Sequence, residues 1–87
     1  MNEEFVVSNR DKLKQLLVEV FLLSDDEFSF DLTRDQIETW DSLGVVSLAV
    51  GVQETFGYHF SPEQAASLAS VADIIEILTN NNIPFDA

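Results

Sequence analysis

The chain has 87 residues and carries 16 Asp and Glu against 4 Lys and Arg, a formal net charge of −12 at pH 7. A surface of one sign repels nucleic acid and anionic lipid, so both are excluded as partners and basic protein faces are favoured. The chain has no cysteine, which excludes a disulfide framework, and its length indicates one small domain over residues 1–87.

Targeting signals are missing from the sequence. No apolar run approaches the ~20 residues that a membrane-spanning helix needs. The acidic start at residues 1–4 lacks the charged and apolar regions of a signal peptide. We therefore expect a soluble, cytoplasmic monomer without membrane insertion.

The first predicted element is a helix from Ser8 to Leu23. Its apolar residues recur at the i, i+3, i+4, i+7 spacing of one helical face, with charged residues on the other side. Ser8 is a favourable N-cap, and the polar run that begins at Ser24 predicts the end of the helix. The face that would pack on the core carries Leu13, Leu16, Leu17 and Val20.

A connection of unusual length, residues 25–41, follows this helix. Its large apolar side chains predict that it packs on the core: Phe28, Phe30, Leu32 and Ile37. Long ordered loops often carry functional residues.

The second predicted helix runs from Ser42 to Phe56, ends before Gly57, and carries more apolar surface than a peripheral helix needs. One stripe is an ordinary core face: Val45, Leu48, Ala49, Val52 and Phe56. A second stripe lies roughly opposite, with Ser47 and Glu54 beside it: Leu43, Val46 and Val50. Either the loop or the third helix covers this second stripe, or the stripe is exposed as a docking surface. Both interpretations hold if the stripe covers a cavity that opens.

Capping signals predict two further helices after a short extended link, residues 58–60. Ser61 as cap, Pro62 in the first turn and Gln64 as the partner of a capping box predict a short third helix that ends near Leu68. Ser70 caps the fourth helix, which ends at the three asparagines 80–82 and has a core face of Val71, Ile74, Ile75 and Leu78. The predicted fold is an all-α four-helix bundle with a short third helix and a long first loop.

Two capping residues in succession, Asp41 and Ser42, open the second helix. Either residue type at this place is usually a cap and nothing more, and one cap suffices. If Asp41 is the cap, the Ser42 hydroxyl is free in the first turn, where the helix dipole and unpaired N–H groups favour an anion. Ser42 is therefore the candidate attachment site for a phosphate ester.

The sequence gives weaker evidence for a catalytic site or a metal site than for an attachment site at Ser42. A triad of Ser42, His59 and an aspartate is conceivable, but the sequence has no Gly-x-Ser-x-Gly elbow and the domain is small for a catalytic pocket. The carboxylates at 25–27 and 31–35 lack the spacing and the glycine of an EF-hand. The chain is predicted to be neither an enzyme nor a metal-binding protein.

The run Asp41-Ser42-Leu43 resembles the motif of the acyl carrier protein family. The similarity continues along nearly the whole chain, through Val46, Leu48, Glu54, Phe56-Gly57, Phe60, Pro62-Glu63, Leu68 and residues 70–74. The tripeptide alone is a weak signal, but a serine at this place in this helix pattern is specific. The resemblance implies that Ser42, preceded by Asp41, carries 4′-phosphopantetheine, which a Mg²⁺-dependent phosphopantetheinyl transferase takes from coenzyme A.

The resemblance also implies partners and contacts. An acyl-loading ligase or synthase, and an acyltransferase or condensing enzyme, would dock with basic faces on the second helix at Leu43, Val46, Val50 and Glu54. The cargo would be held as a thioester on the arm, and an acyl chain would reach a pocket that involves Val46, Val50 and Leu68.

Four uncharged residues distinguish the chain from carriers of housekeeping fatty acid synthesis, which tend to have acidic side chains at these places: Gly44, Ser47, Gln53 and Ala66. Trp40 before the motif and Gly44 after it resemble the residues at these places in carriers of specialised pathways. We therefore predict a specialised lipid, polyketide or secondary-metabolite pathway with acyl or aminoacyl cargo. The alternative is a small acidic protein-interaction module in which Ser42 stays unmodified.

Overall fold

A computed structural model describes residues 8–85. Residues 1–4, on which the prediction of no signal peptide rests, lie outside the described residues. Four α-helices follow one another in the order predicted: α1 (Asn9–Phe21), α2 (Ser42–Phe56), α3 (Pro62–Ser67) and α4 (Val71–Asn80). The all-α fold with a short third helix and a long first loop is confirmed.

Serine caps begin three of these helices. Ser8, Ser61 and Ser70 each accept a hydrogen bond from the backbone N–H three residues further on, at 3.2, 3.1 and 3.1 Å. The Gln64 side chain completes the predicted capping box by accepting from the Ser61 N–H at 3.1 Å. Because the first N–H groups of a helix have no acceptor within the helix, these bonds fix where α1, α3 and α4 begin.

One helix end differs from the sequence prediction. α1 ends at Phe21 and not at Leu23, because Leu22 adopts a left-handed conformation with φ 58°. A left-handed residue that ends a helix is usually glycine, and other residues are uncommon in this region. A leucine at this position therefore does not predict a helix end. α3 ends at Ser67 with Leu68 as its C-cap, in agreement with the predicted end near Leu68.

The core joins all four helices to the long loop. Ile37 and Trp40 of the loop are buried in it, and Phe28, Phe30 and Leu32 pack against it, so the predicted packing of the loop is confirmed. The largest fully buried side chains come from the helices and, at Leu68, from the residue that follows α3: Leu13, Leu17, Phe21, Leu48, Val52, Leu68, Val71, Ile74 and Leu78.

The loop is also tied to the link between α3 and α4. A 3₁₀ turn (Arg34–Gln36), which the sequence did not indicate, lies in the middle of the loop. The Arg34 N–H donates to the Ala69 carbonyl at 2.7 Å, and Thr33 and Ser70 form an isolated antiparallel bridge. These contacts fix the middle of the loop, eight to nine residues before α2 begins.

Candidate functional site

Ser42 is the first residue of α2, and Asp41 is the N-cap of that helix. Asp41 Oδ1 accepts from the Gly44 N–H at 2.9 Å, and the Asp41 carbonyl accepts from the Val45 N–H at 2.9 Å. Asp41 therefore performs the capping by itself. Ser42 is exposed in the first turn, where its own N–H and that of Leu43 have no acceptor within the helix.

The electrostatics of this first turn favour an anion. The positive end of the helix dipole lies here, and the first turn of α2 holds no acidic side chain. Arg34 adds a cation nearby, since its Nε donates to the Trp40 carbonyl at 3.0 Å. No motif or spacing marks Arg34 as a site residue, although it is the sole Lys or Arg after Lys14.

The second apolar stripe of α2 is exposed and begins directly after Ser42. Leu43, Val46 and Val50 are 78%, 60% and 50% exposed. Neither the loop nor α3 covers them, so of the two interpretations the exposed stripe is the one that the structure supports. Ser47 and Glu54 are exposed as well.

Leu68 differs from this exposed stripe in its burial. It is 2% exposed and belongs to the core, at the point where the chain leaves α3. The structure thus brings Leu43, Val46, Val50 and Glu54 to the surface of α2 and places Leu68 in the interior.

Trp40 anchors the peptide that precedes the cap. Its side chain is 3% exposed, and its ring stacks on Phe21 of α1 with 4.9 Å between centroids and 20° between planes. Among residues 8–85, the Trp40 Nε1–H is the buried side-chain polar group that has no hydrogen-bond partner. In the sequence, Trp40 was only one of the residues that carry the family resemblance. Its packing on Phe21 could not be predicted from the sequence.

Gly44 is required by a close approach of the loop to α2. The residue is buried, and a Cβ there would collide with the Thr39 carbonyl oxygen and lie 3.2 Å from the Phe21 ring. Thr39 is held in place because its hydroxyl donates to the Phe21 carbonyl at 2.7 Å. The absence of an acidic side chain at this position therefore has a steric cause.

The residues considered for a catalytic triad are far apart. His59 is exposed, and its Nδ1 lies 3.1 Å from Oε1 of Gln53 near the opposite end of α2. Gln53 is eleven residues from Ser42, which is about 16 Å along a helix axis. Within residues 8–85 no group of three His, Asp or Glu side chains could hold a metal ion. In the same range no helix has the length and apolar character to cross a bilayer.

Known proteins show which family this fold and sequence belong to. An acyl carrier protein of Coprothermobacter proteolyticus is 33% identical over 72 residues, which cover 80% of this chain and 85% of that protein. One of a Sulfurovum species is 33% identical over 70 residues, which cover 80% and 93%. One of Clostridium perfringens is 27% identical over 71 residues, which cover 82% and 93%. No protein-family model matches the chain, and no solved structure does. Identity at this level over most of both sequences shows that the chain belongs to the acyl carrier protein family, whose members are carriers and not enzymes.

Proposed function

We propose that this carrier holds acyl groups as thioesters on 4′-phosphopantetheine attached to Ser42, and that residues 1–87 form one carrier domain. The supporting observation is the division of roles at the start of α2, where Asp41 caps the helix and Ser42 is exposed beside it. When bound, the group supplies a flexible arm that ends in a thiol, which a chain without cysteine does not encode.

The residues around Ser42 fit a phosphodiester. The N–H groups of Ser42 and Leu43 can donate to phosphate oxygens, and the helix dipole stabilises their negative charge. Arg34 contributes a positive charge close to the peptide before Asp41. The protein thus provides donors and charge at the anchor and leaves one exposed face of α2 for partners.

The proposed loading step joins Ser42 to the phosphorus of coenzyme A that bears pantetheine. The Ser42 Oγ forms a bond to this phosphorus while the P–O bond of the pyrophosphate breaks. Adenosine 3′,5′-bisphosphate leaves, and the hydroxyl proton passes to a base of the transferase. Ser42 supplies only the oxygen, since the Mg²⁺ and the base belong to the transferase.

The loading reaction tests the proposed function directly. We expect the purified protein, incubated with coenzyme A, Mg²⁺ and a phosphopantetheinyl transferase of broad specificity, to gain the mass of one phosphopantetheine. Peptide mapping should place the added mass on the peptide that contains Ser42. A protein that gains no mass, while a known carrier is loaded in the same tube, would contradict the proposal and favour the acidic interaction module.

The exposed stripe of Leu43, Val46 and Val50, together with Glu54, is the proposed docking surface for the enzymes that load and use the carrier. These are a phosphopantetheinyl transferase, an acyl-loading ligase or synthase, and an acyltransferase or condensing enzyme. Exposed apolar patches of this kind mark protein contacts, and the one-signed charge of the chain favours basic partner faces. Such encounters are fast, weak and sensitive to salt.

Reversal of the charge at Glu54 is expected to slow loading. Glu54→Lys should lower kcat/KM of the transferase by about 3- to 10-fold at low salt, equivalent to ~0.7–1.4 kcal/mol, because a basic docking face would meet a positive charge. The difference should shrink as salt is added. Glu76→Lys is the matched control, since Glu76 is also an exposed acid and lies on α4. If both variants are loaded at the same rate, Glu54 has no part in docking.

We further propose that the carrier serves a specialised lipid, polyketide or secondary-metabolite pathway in the cytoplasm, with acyl or aminoacyl cargo. Glu54 is the sole acidic side chain of α2, and Ser47 and Gln53 present uncharged groups on its exposed surface. The intact mass of the protein isolated from its own cells would identify the cargo. A saturated long-chain acyl group would point instead to housekeeping fatty acid synthesis.

A further inference from the structure

Leu22, the residue that ends α1, has an exposed apolar side chain at a position where glycine is usual. Its backbone is left-handed with φ 58°, and the N–H groups of Leu22 and Leu23 both donate to the Val18 carbonyl. Glycine is favoured at such a helix end, because a Cβ in the left-handed region is strained. The Leu23 side chain packs against the core, whereas that of Leu22 is 79% exposed. The fold therefore needs the left-handed backbone at Leu22 and makes little use of its side chain.

Exposure and strain coincide at Leu22. Among residues 8–85 the other exposed large apolar side chains are the stripe of α2, namely Leu43, Val46 and Val50. A single exposed leucine needs no explanation by itself. A residue that is held in a strained backbone conformation and also leaves its apolar side chain in water is different, because strain of this kind collects at functional sites. The combination points to a contact outside this chain.

Leu22 lies at the end of the bundle that carries Ser42. The Phe21 carbonyl accepts from the Thr39 hydroxyl at 2.7 Å, and the Thr39 carbonyl oxygen and the Phe21 ring both lie against Gly44 in the first turn of α2. Leu22 and Thr39 line the same open hollow. Thr39 and Ser42 are three residues apart, so their Cα atoms are separated by at most about 11 Å. A protein that covers Ser42 can therefore reach Leu22 as well.

Acidic side chains flank Leu22. Glu27 and Glu38 line the hollow with it, and none of the described residues that line this hollow is basic. Asp25 and Asp26 are exposed in the turn that follows α1. An apolar side chain among carboxylates fits an apolar socket with a basic rim. It would repel a second copy of this chain, whose net charge is −12.

We propose that Leu22 is a docking contact for the phosphopantetheinyl transferase, in addition to the stripe of α2, an inference that rests on the proposed attachment to Ser42. The transferase must bring its own active site to the Ser42 Oγ, so its surface covers the end of the bundle around that residue. Enzymes that act on the cargo meet the far end of a flexible arm and need no contact there. Leu22 enters an apolar socket of the transferase, and basic side chains at its rim face Glu27 and Glu38.

Substitutions at Leu22 separate docking from folding. Glycine suits the left-handed backbone, so Tm of Leu22→Gly should stay near or above the wild-type value. Loading of this variant by the phosphopantetheinyl transferase of the cells that make the protein should show a KM for the carrier about 5- to 20-fold higher, with kcat unchanged. A side chain that served only the fold would lower Tm when removed. Leu22→Met keeps an apolar side chain and should load with nearly the wild-type KM.

Asn82→Gly is the matched control. Asn82 is the other non-glycine residue with a positive φ among residues 8–85, and it follows α4. It lies two residues before Pro84, whose carbonyl accepts from the Asn9 side chain at the start of α1, the opposite end of that helix from Leu22. The variant makes the same kind of backbone change away from Ser42, so its KM should equal that of the wild-type protein.

The outcomes separate this inference from the proposed function. A wild-type KM in Leu22→Gly overturns the docking contact and leaves the attachment to Ser42 intact. An equal rise of KM in Leu22→Met or in Asn82→Gly also overturns it, because the effect would then not depend on an apolar side chain at this position. A wild-type protein that gains no mass, while a known carrier is loaded in the same tube, contradicts the attachment to Ser42 and this inference with it.

Discussion

Ser42→Ala is expected to gain no mass in the loading reaction, whereas Ser47→Ala is expected to be loaded like the wild-type protein. Both serines are exposed on α2, so the two variants make the same chemical change on the same helix. Ser42 differs in its place in the first turn, where N–H groups and the dipole favour a phosphate. Alanine there has no oxygen to form the bond, so the effect on loading is complete loss.

The fold should tolerate Ser42→Ala, which makes the loss of loading interpretable. Asp41 and not Ser42 accepts the capping hydrogen bond, so the free energy of unfolding should stay within about 0.5 kcal/mol of the wild-type value. Asp41→Ala, by contrast, should cost about 1 kcal/mol through loss of the cap. Thermal melts followed by circular dichroism measure both. A mass gain in Ser42→Ala would place the attachment on another side chain.

The parts of the fold that local signals specify were predictable from the sequence. Ser61, Pro62 and Gln64 specify the start of α3 through contacts made within four residues. The start of α2 and the position of its second apolar stripe likewise follow from residue types and helical spacing, whereas the structure decides that Asp41 is the cap and that the stripe is exposed. Signals of this kind act along the chain, so they need no knowledge of which elements meet in space.

The features that the sequence did not indicate depend on contacts between distant parts of the chain. Arg34 reaches the Trp40 carbonyl because a 3₁₀ turn and the Ala69 carbonyl hold the loop there. α1 ends at Phe21 because Leu22 is left-handed, and no sequence pattern predicts that conformation for a leucine. The sequence therefore marked Ser42 in the first turn of α2 as a candidate site, and the cation that Arg34 brings near it became visible only in the fold.

Gly44→Ala is expected to lower the free energy of unfolding by about 2–3 kcal/mol, against the gain of ~1 kcal/mol that helix propensity alone predicts. The new Cβ would collide with the Thr39 carbonyl oxygen, which is a backbone atom and cannot rotate away. Thr39 is fixed in turn by its hydrogen bond to the Phe21 carbonyl. At about 4–8 °C per kcal/mol for a chain of this size, Tm should fall by roughly 8–24 °C.

Gly51→Ala is the matched control, because it places the same methyl group in the same helix. Its Cβ would meet a terminal methyl group of Leu16, a side chain that can rotate. The gain in helix propensity should offset that adjustment, so Tm should change by only a few degrees. If Gly44→Ala melts as high as Gly51→Ala, the loop end does not press on α2 as the structure has it. A far lower Tm in Gly44→Ala would confirm that the Thr39 carbonyl lies against the first turn of α2.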